Sequence, residues 1–193
     1  MLRTNQPFLE YLDKLYTSEE HEGKIILKSF EKDDHLFVQN EVSTEIMLVK
    51  TGITKCFFNQ ENGTEYIVEF LGKGEVLGEI EVVKNVPCIC SIDAITEVSA
   101  YSMSIPYFQE LIKSDANFNK LLVAVFAERI VNSSNRASYQ KLHHKETTLA
   151  QLLDERAKEM KMSKDDMAAY FGITMRSLNR AMKAFEEKEN AQK

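Results

Sequence analysis

From Lys24 to Met103, short apolar runs alternate with glycines at a spacing typical of short β-strands. The runs are rich in β-branched and aromatic residues, and glycines interrupt them at positions 52, 63, 72, 74 and 78. Many short strands predict a barrel or a sandwich. Asn62-Gly63 lies between two such runs and predicts a hairpin, because both central residues of a type I′ turn need a positive φ.

After Pro106 the spacing of apolar residues changes to about 3.6, which predicts helices. A short helix is expected over 107–112, and a long one begins after Ser114-Asp115. The polar residues at 132–136 indicate the end of the long helix or a hinge. A further helix is predicted from Thr148, which has capping-box spacing with Gln151.

The long helix is apolar over more than one stripe. We therefore expect it to pack both on its own barrel and on a second copy of the chain, since a monomer would leave much apolar surface in water. Burial entirely within one chain is the alternative. The residues expected at the dimer interface are Phe118, Leu121, Leu122, Val125 and Phe126.

Two short helices separated by a glycine turn are predicted near the C-terminus. Ser163 caps the first, over 164–171, and Gly172 ends it; Thr174 caps the second, over 175–188. This arrangement is typical of a helix-turn-helix, whose second helix lies in the major groove of DNA. A helical hairpin with a solvated charged face is the alternative.

The face of the second helix that the apolar seam leaves outside carries donor side chains. Arginine reads guanine edges, asparagine reads adenine, and serine and lysine reach phosphates or bases. The candidate DNA-contacting residues on this basis are Arg176, Ser177, Asn179, Arg180 and Lys183.

Charge is uneven along the chain. The net charge is −6, but the first 140 residues hold 13 Lys and Arg against 21 Asp and Glu, whereas the remainder holds 11 against 9. An acidic body with a less acidic end fits a regulator whose DNA contacts come from one small element.

Other classes of protein find little support in the residues. The longest apolar run, 121–127, is too short to cross a bilayer and no secretory leader is evident, so we expect a cytoplasmic protein without a membrane partner. No Ser-His-acid or Cys-His arrangement indicates an enzyme. Cys56, Cys88 and Cys90 form no CxxC pair and are expected to be reduced thiols. Neither a metal nor a cofactor is expected.

Nearly the whole chain resembles the Crp/Fnr family of bacterial transcription regulators. The similar stretches are GKGEVLGEIEVV at 72–83, SAYSMSIPYFQELI at 99–112 and MSKDDMAAYFGITMRSLNRAMKAF at 162–185. The resemblance implies an α+β chain with an N-terminal double-stranded β-helix (a jelly roll like cyclic-nucleotide-binding domains), a long dimerisation helix and a C-terminal helix-turn-helix. The expected boundaries are 1–115, 116–140 and 141–193.

The resemblance also implies roles for residues. Met175, Arg176 and Arg180 match the family's main DNA-contacting positions, and Thr174 completes the candidate set; Arg176 departs from the acidic residue common there. No strand pattern follows the recognition helix, so the family's β-hairpin wing is expected to be missing.

The resemblance further implies an effector site that includes Gly78, Glu79 and the position of Cys88. In cyclic-nucleotide binders the Glu holds the ribose and an Arg neutralises the phosphate. The stretch VKNVPCICS around Cys88 contains no Arg, and a buried phosphate without a cation is costly. We therefore expect a barrel that does not bind cyclic AMP.

The resulting hypothesis is a homodimeric regulator that binds double-stranded DNA sequence-specifically. RNA polymerase and an unidentified small-molecule effector are further candidate partners. The alternative is a signalling or interaction module that keeps the cyclic-nucleotide-binding-like fold without tight DNA binding.

Overall fold

The computed structural model describes residues 2–19, 22–60, 63–142 and 163–191, with side chains described outside 136–142 and 184–191. Strands occupy most of the region from 25 to 104 and helices follow it, as the hydrophobic pattern predicted. The helix predicted from Thr148 and the turn residue Asn62 lie outside the described residues. Within those residues, no helix is both long and apolar enough to cross a membrane.

Within the described part of the chain, nine strands form two sheets. The five-stranded sheet has the order β1 (Leu2–Arg3), β6 (Glu65–Leu71), β5 (Thr54–Asn59), β8 (Ser91–Ala94), β3 (His35–Phe37). The four-stranded sheet has the order β2 (Ile25–Phe30), β9 (Val98–Ser104), β4 (Glu45–Thr51), β7 (Val76–Leu77). Only the β1–β6 pair is parallel among these ladders.

The sheets pack face to face. One core cluster, which we call the sandwich core, draws buried residues from both sheets: Leu36, Phe37, Met47, Val49, Leu71, Leu77, Cys88, Ile92, Ala94, Val98 and Ala100. The predicted barrel or sandwich is therefore a β-sandwich of jelly-roll type.

The predicted hairpin is confirmed, but its loop is longer than a two-residue turn. Strands β5 and β6 pair antiparallel up to Asn59 opposite Glu65. The Gln60 amide donates to the Thr64 carbonyl at 3.0 Å, and Gly63, at φ 78°, closes the loop. A three-residue loop that ends on a left-handed glycine is the next most common hairpin connection.

Four helices accompany the sandwich: α1 (Gln6–Tyr16), α2 (Glu79–Lys84), α3 (Ile105–Ser114) and α4 (Ala116–Leu142). The hydrophobic pattern predicted α3 and α4 but neither α1 nor α2. Asn5 and Pro7 are residues that favour a helix start, and in the structure the Asn5 side chain accepts a hydrogen bond from the Phe8 amide while Pro7 lies in the first turn. Its apolar residues, at 8, 9, 12 and 15, are buried.

Helix α1 covers the stripe of α4 that was expected to face a second copy. The Phe118 ring packs edge-on against Phe8 at 5.4 Å and against Phe108 of α3 at 5.6 Å. Phe118, Leu122 and Val125 are buried in this cluster, and Leu121 and Phe126 are partly buried against it. Three of the five expected dimer-interface residues are thus buried within one chain, in a cluster that includes both α1 and α3.

The polar residues at 132–136 lie inside α4, so the predicted helix end or hinge there is wrong. Side chains 132–135 are exposed, and exposed polar side chains are compatible with a helix that has left the sandwich surface. Two more helices follow the undescribed segment, α5 (Lys164–Phe171) and α6 (Met175–Ala191). Their starts match the predicted ones.

Gly74 allows the turn before β7 to contact the start of α1. Its φ is 80°, and a Cβ there would lie 1.8 Å from the Asn5 carbonyl oxygen. Gly74→Ala is expected to lower the free energy of unfolding by more than about 2 kcal/mol, because both the conformation and the backbone contact oppose it. Gly23 has a similar φ of 75°, but a Cβ at that position would have nothing within 4 Å. Gly23→Ala is therefore expected to lower the free energy of unfolding by only about 1 kcal/mol. Urea denaturation measures both, and equal losses would contradict the steric argument.

Candidate functional site

The predicted effector residues Gly78 and Glu79 form the start of α2. Gly78 adopts φ 87°, and a Cβ on it would lie 3.3 Å from the Phe37 ring and 3.4 Å from the Ile46 side chain. Glu79 is only 1% exposed. A buried carboxylate needs a cation or strong donors, so its partner decides what this site does.

That partner is Arg129 of α4. Its Nη1 contacts the Glu79 carboxylate, and its Nη2 donates to the Val76 carbonyl at 2.7 Å and lies 3.5 Å from Glu75 Oε2. Burial lowers the pKa of Arg129, opposed by the neighbouring Glu75. The guanidinium nevertheless stays charged at neutral pH, because its ordinary pKa is so high.

A second arginine extends the cluster to the N-terminal strand. Arg3 Nη2 lies 3.4 Å from Glu75 Oε2 and Nη1 lies 3.6 Å from Glu69 Oε2, with the Arg3 side chain 5% exposed. We call these five charged residues the arginine network. It joins β1, β6, the β6–β7 turn, α2 and α4 through buried ion pairs.

Cys88, the third predicted effector residue, lies in the sandwich core. Its amide donates to the Glu41 carbonyl and its carbonyl accepts from the Asn40 amide, both at 2.8 Å. Burial raises the pKa of the Cys88 thiol. Gly78 lies next to Phe37 of the sandwich core, and Cys88 belongs to the same core. Glu79 instead pairs with Arg129, a residue that was not among the predicted site residues. The available signal was a charged pair, Glu128-Arg129, directly after an apolar run.

The helix pair has the caps that its sequence predicted. The Asp166 amide donates to Ser163 Oγ at 3.0 Å, Gly172 ends α5 at φ 61°, and the Ser177 amide donates to Thr174 Oγ1 at 3.2 Å. Met167, Ala168, Leu178 and Ala181 are buried between the helices. These contacts anchor α6 on α5.

The predicted DNA-contacting residues divide into two groups. Thr174, Arg176, Asn179, Arg180 and Lys183 are exposed, and Ser177 is half-exposed. Met175 instead packs into the seam between the helices. Asn179 also accepts from Lys164 Nζ of α5 at 3.4 Å. The exposed face of α6 is thus rich in hydrogen-bond donors.

Helix α5 contacts the five-stranded sheet through its other face. Lys55 Nζ of β5 lies 3.4 Å from Asp166 and 2.6 Å from Glu65, and the Tyr170 ring lies 5.3 Å from that of Phe70. Burial opposes the charge of Lys55, but Glu65, Asp166 and Asp93 together raise its pKa. The contact therefore combines an ion pair with packing on the sheet.

Comparisons with known proteins agree with this fold. Residues 27–115 match the family model described as the cyclic nucleotide-binding domain. The matched residues contain β3 to β9 and most of β2, so the similarity covers most of the β-sandwich. No curated protein sequence gives a significant match.

Several solved structures share the fold over most of the chain. FixK2 from Bradyrhizobium japonicum has a TM-score of 0.73 at 18% identity, over 86% of both chains. A protein from Eubacterium rectale described as a Crp/Fnr transcriptional regulator has a TM-score of 0.78 at 14% identity, over 95% of this chain and 89% of its own. The catabolite activator protein of Thermus thermophilus has a TM-score of 0.57 at 17% identity, over 95% and 88%.

The cyclic nucleotide-binding-type domain has an apolar recess where α2 meets α4. A cavity of about 290 Å³ is lined by Ile80, Val83, Lys84, Phe126, Arg129 and Ile130. Beside it, Val123 and Ile130 of α4 are 59% and 68% exposed. Together with Ala127 they form the exposed stripe of α4, which the domain itself leaves uncovered. No cluster of three or more metal-ligating side chains with suitable geometry occurs among the described residues.

Arg129→Met is expected to destabilise the domain by about 3–5 kcal/mol, because it leaves the buried Glu79 without its cation and leaves Glu75 with Arg3 alone. Glu79→Gln removes the negative charge of the same ion pair and serves as the second single variant of the cycle. The double variant Arg129→Met/Glu79→Gln should be more stable than Arg129→Met alone, since one of the unpaired charges is gone. Urea denaturation of the three variants measures this, and strictly additive losses would show that the pair is not coupled.

Proposed function

We propose that the chain is a transcription regulator that binds DNA as a homodimer through α5 and α6. The observation that carries the proposal is the two-sided α6, with Leu178 and Ala181 buried on α5 and Arg176, Asn179 and Arg180 exposed. A firmly anchored helix that presents guanidinium and amide donors has the properties required for major-groove recognition. A cytoplasmic location and contact with RNA polymerase belong to the same proposal.

Self-association is proposed to use the exposed stripe of α4. Val123 and Ile130 leave apolar surface in water, and Phe126 borders the recess next to them. A second α4 packed along this stripe would cover it in both copies. The similarity to the Eubacterium rectale protein, which is described as a Crp/Fnr transcriptional regulator, supports a regulator of this architecture.

The sensor domain is proposed not to respond to cyclic AMP. Arg129 already satisfies the Glu79 carboxylate, and residues 86–91 contain no arginine for a cyclic phosphate. Any effector that acts through Glu79 must displace a guanidinium held by Glu79, Glu75 and the Val76 carbonyl. Such an exchange would alter α4, and hence the geometry of the dimer.

The net charge of −6 favours a second function, an interaction module without tight DNA binding. The two functions differ in salt dependence. Phosphate contacts release counterions and make the affinity fall steeply with salt, whereas a protein partner gives no such general dependence.

Arg180→Ala is expected to weaken binding to an operator selected from genomic fragments by at least about tenfold, because one good base contact is worth about 1–3 kcal/mol. Fluorescence anisotropy at several salt concentrations measures the affinity, and circular dichroism confirms that the helices remain. If Arg180 contacts a phosphate, the variant should also reduce the slope of the logarithm of the binding constant against the logarithm of the salt concentration by about one.

The matched control is Lys113→Ala, which removes one positive charge from an exposed position at the end of α3. It should leave operator affinity within about twofold of the unaltered chain, since a distant surface charge is largely screened. Equal effects of the two variants, or none from Arg180→Ala, would contradict DNA recognition by α6.

Ile130→Asp is expected to raise the dimer dissociation constant by at least about a hundredfold, because it would bury a charge in an apolar contact. The control is Asn132→Asp, which adds the same charge to an exposed position on the opposite side of α4. Analytical ultracentrifugation over a concentration series measures both. A dimer that survives Ile130→Asp unchanged would place the interface elsewhere.

A further inference from the structure

Two of the three cysteines come from separate segments and share one face of the five-stranded sheet. In the β5–β8 ladder Cys56 lies opposite Ile92 and Phe57 lies opposite Ser91. Cys90 directly precedes β8, two residues before Ile92, and both Cys56 and Cys90 pack against the sandwich core to which Ile92 belongs. Cys90 therefore lies on the same face of the sheet as Cys56 and diagonal to it.

The two thiols also interact. The Cys90 side chain is the largest cause of the raised pKa of Cys56. Both residues are half-buried, whereas Cys88 is 4% exposed and its backbone is bound on both sides to residues 40 and 41. Cys88 is thus set apart from the pair by burial and by its backbone bonds.

We propose that Cys56 and Cys90 form a redox-active thiol pair that a hydroperoxide converts into an intramolecular disulfide. In the first step the Cys90 sulfur, as thiolate, attacks the peroxide oxygen; the O–O bond breaks, an alcohol leaves and Cys90 becomes a sulfenic acid. In the second step the Cys56 sulfur attacks the Cys90 sulfur; the S–S bond forms, the S–O bond breaks and water leaves. Overall, two thiols are oxidised by two electrons and the peroxide is reduced to alcohol and water.

The order of the steps follows from the surroundings of Cys56. The Cys90 side chain and burial raise the pKa of Cys56 well above its ordinary value, with Arg129 opposing and Glu81 adding to the effect. Cys56 is therefore the poorer first nucleophile, because the thiolate is the reactive form. Once Cys90 is a sulfenic acid, Cys56 is its neighbour on the same face of the sheet.

The backbone permits the bridge with a small adjustment. Diagonal neighbours across a ladder have Cα atoms about 7–8 Å apart, and a disulfide needs about 4.4–6.8 Å. Cys90 precedes β8 and follows α2 in an irregular segment, so a shift of about 1 Å there suffices. The proposal is independent of DNA binding, because its outcome is a covalent bond.

The full chain is treated with hydrogen peroxide, and free thiols are then alkylated in denaturant. The expected result is a mass decrease of about 2 Da before alkylation, a fall from three free thiols to one, and a peptide that links Cys56 to Cys90. Reduction with dithiothreitol should restore all three thiols.

Matched alanine variants test the assignment. Cys88→Ala should still form the bridge, whereas Cys90→Ala and Cys56→Ala should not, with circular dichroism to confirm that each variant is folded. The proposal is overturned if three alkylatable thiols remain after peroxide treatment, if Cys90 accumulates as sulfinic acid without a bridge, or if the bridge maps to Cys88. Because Cys90 lies outside the strands, Cys90→Ala keeps the test valid even if Cys56→Ala fails to fold.

Discussion

The ion pair between the largely buried guanidinium of Arg129 and the Glu79 carboxylate is the interaction on which the arrangement of this protein depends. It ties α4 to α2 and to the β6–β7 turn, and Glu75 passes the connection on to Arg3 of β1. Buried charges of this kind are costly unless every partner is present. The arginine network therefore ties the position of the long helix α4 to the carboxylates of Glu75 and Glu79.

This coupling explains why α4 has two apolar stripes with different partners. The stripe with Phe118, Leu122 and Val125 completes the core formed with α1 and α3, and Arg129 continues the same attachment toward the sandwich. The stripe with Val123 and Ile130 stays in water. A change at Glu79 would reach the exposed stripe through the helix that carries both.

The helix pair depends on the domain in a second way. Helix α5 uses Met167 and Ala168 toward α6, and Asp166 and Tyr170 toward the sheet. One short helix thus joins the candidate recognition helix to the β-sandwich. The orientation of α6 relative to the sheet is set by contacts that are far apart in the sequence.

Local signals in the sequence determined the strands, the hairpin at Gly63, the caps at Ser163 and Thr174, and the exposed donors of α6, because each depends on residues a few positions apart. Helix α1 had the same kind of signal, in Asn5 and Pro7, but it was not among the predicted helices. Tertiary structure alone decided that Arg129 pairs with Glu79, that Phe118 packs against Phe8 of α1, and that Cys56 neighbours Cys90. These pairings join residues between 34 and 110 positions apart in the chain, and periodicity and capping carry no information about contacts over such separations.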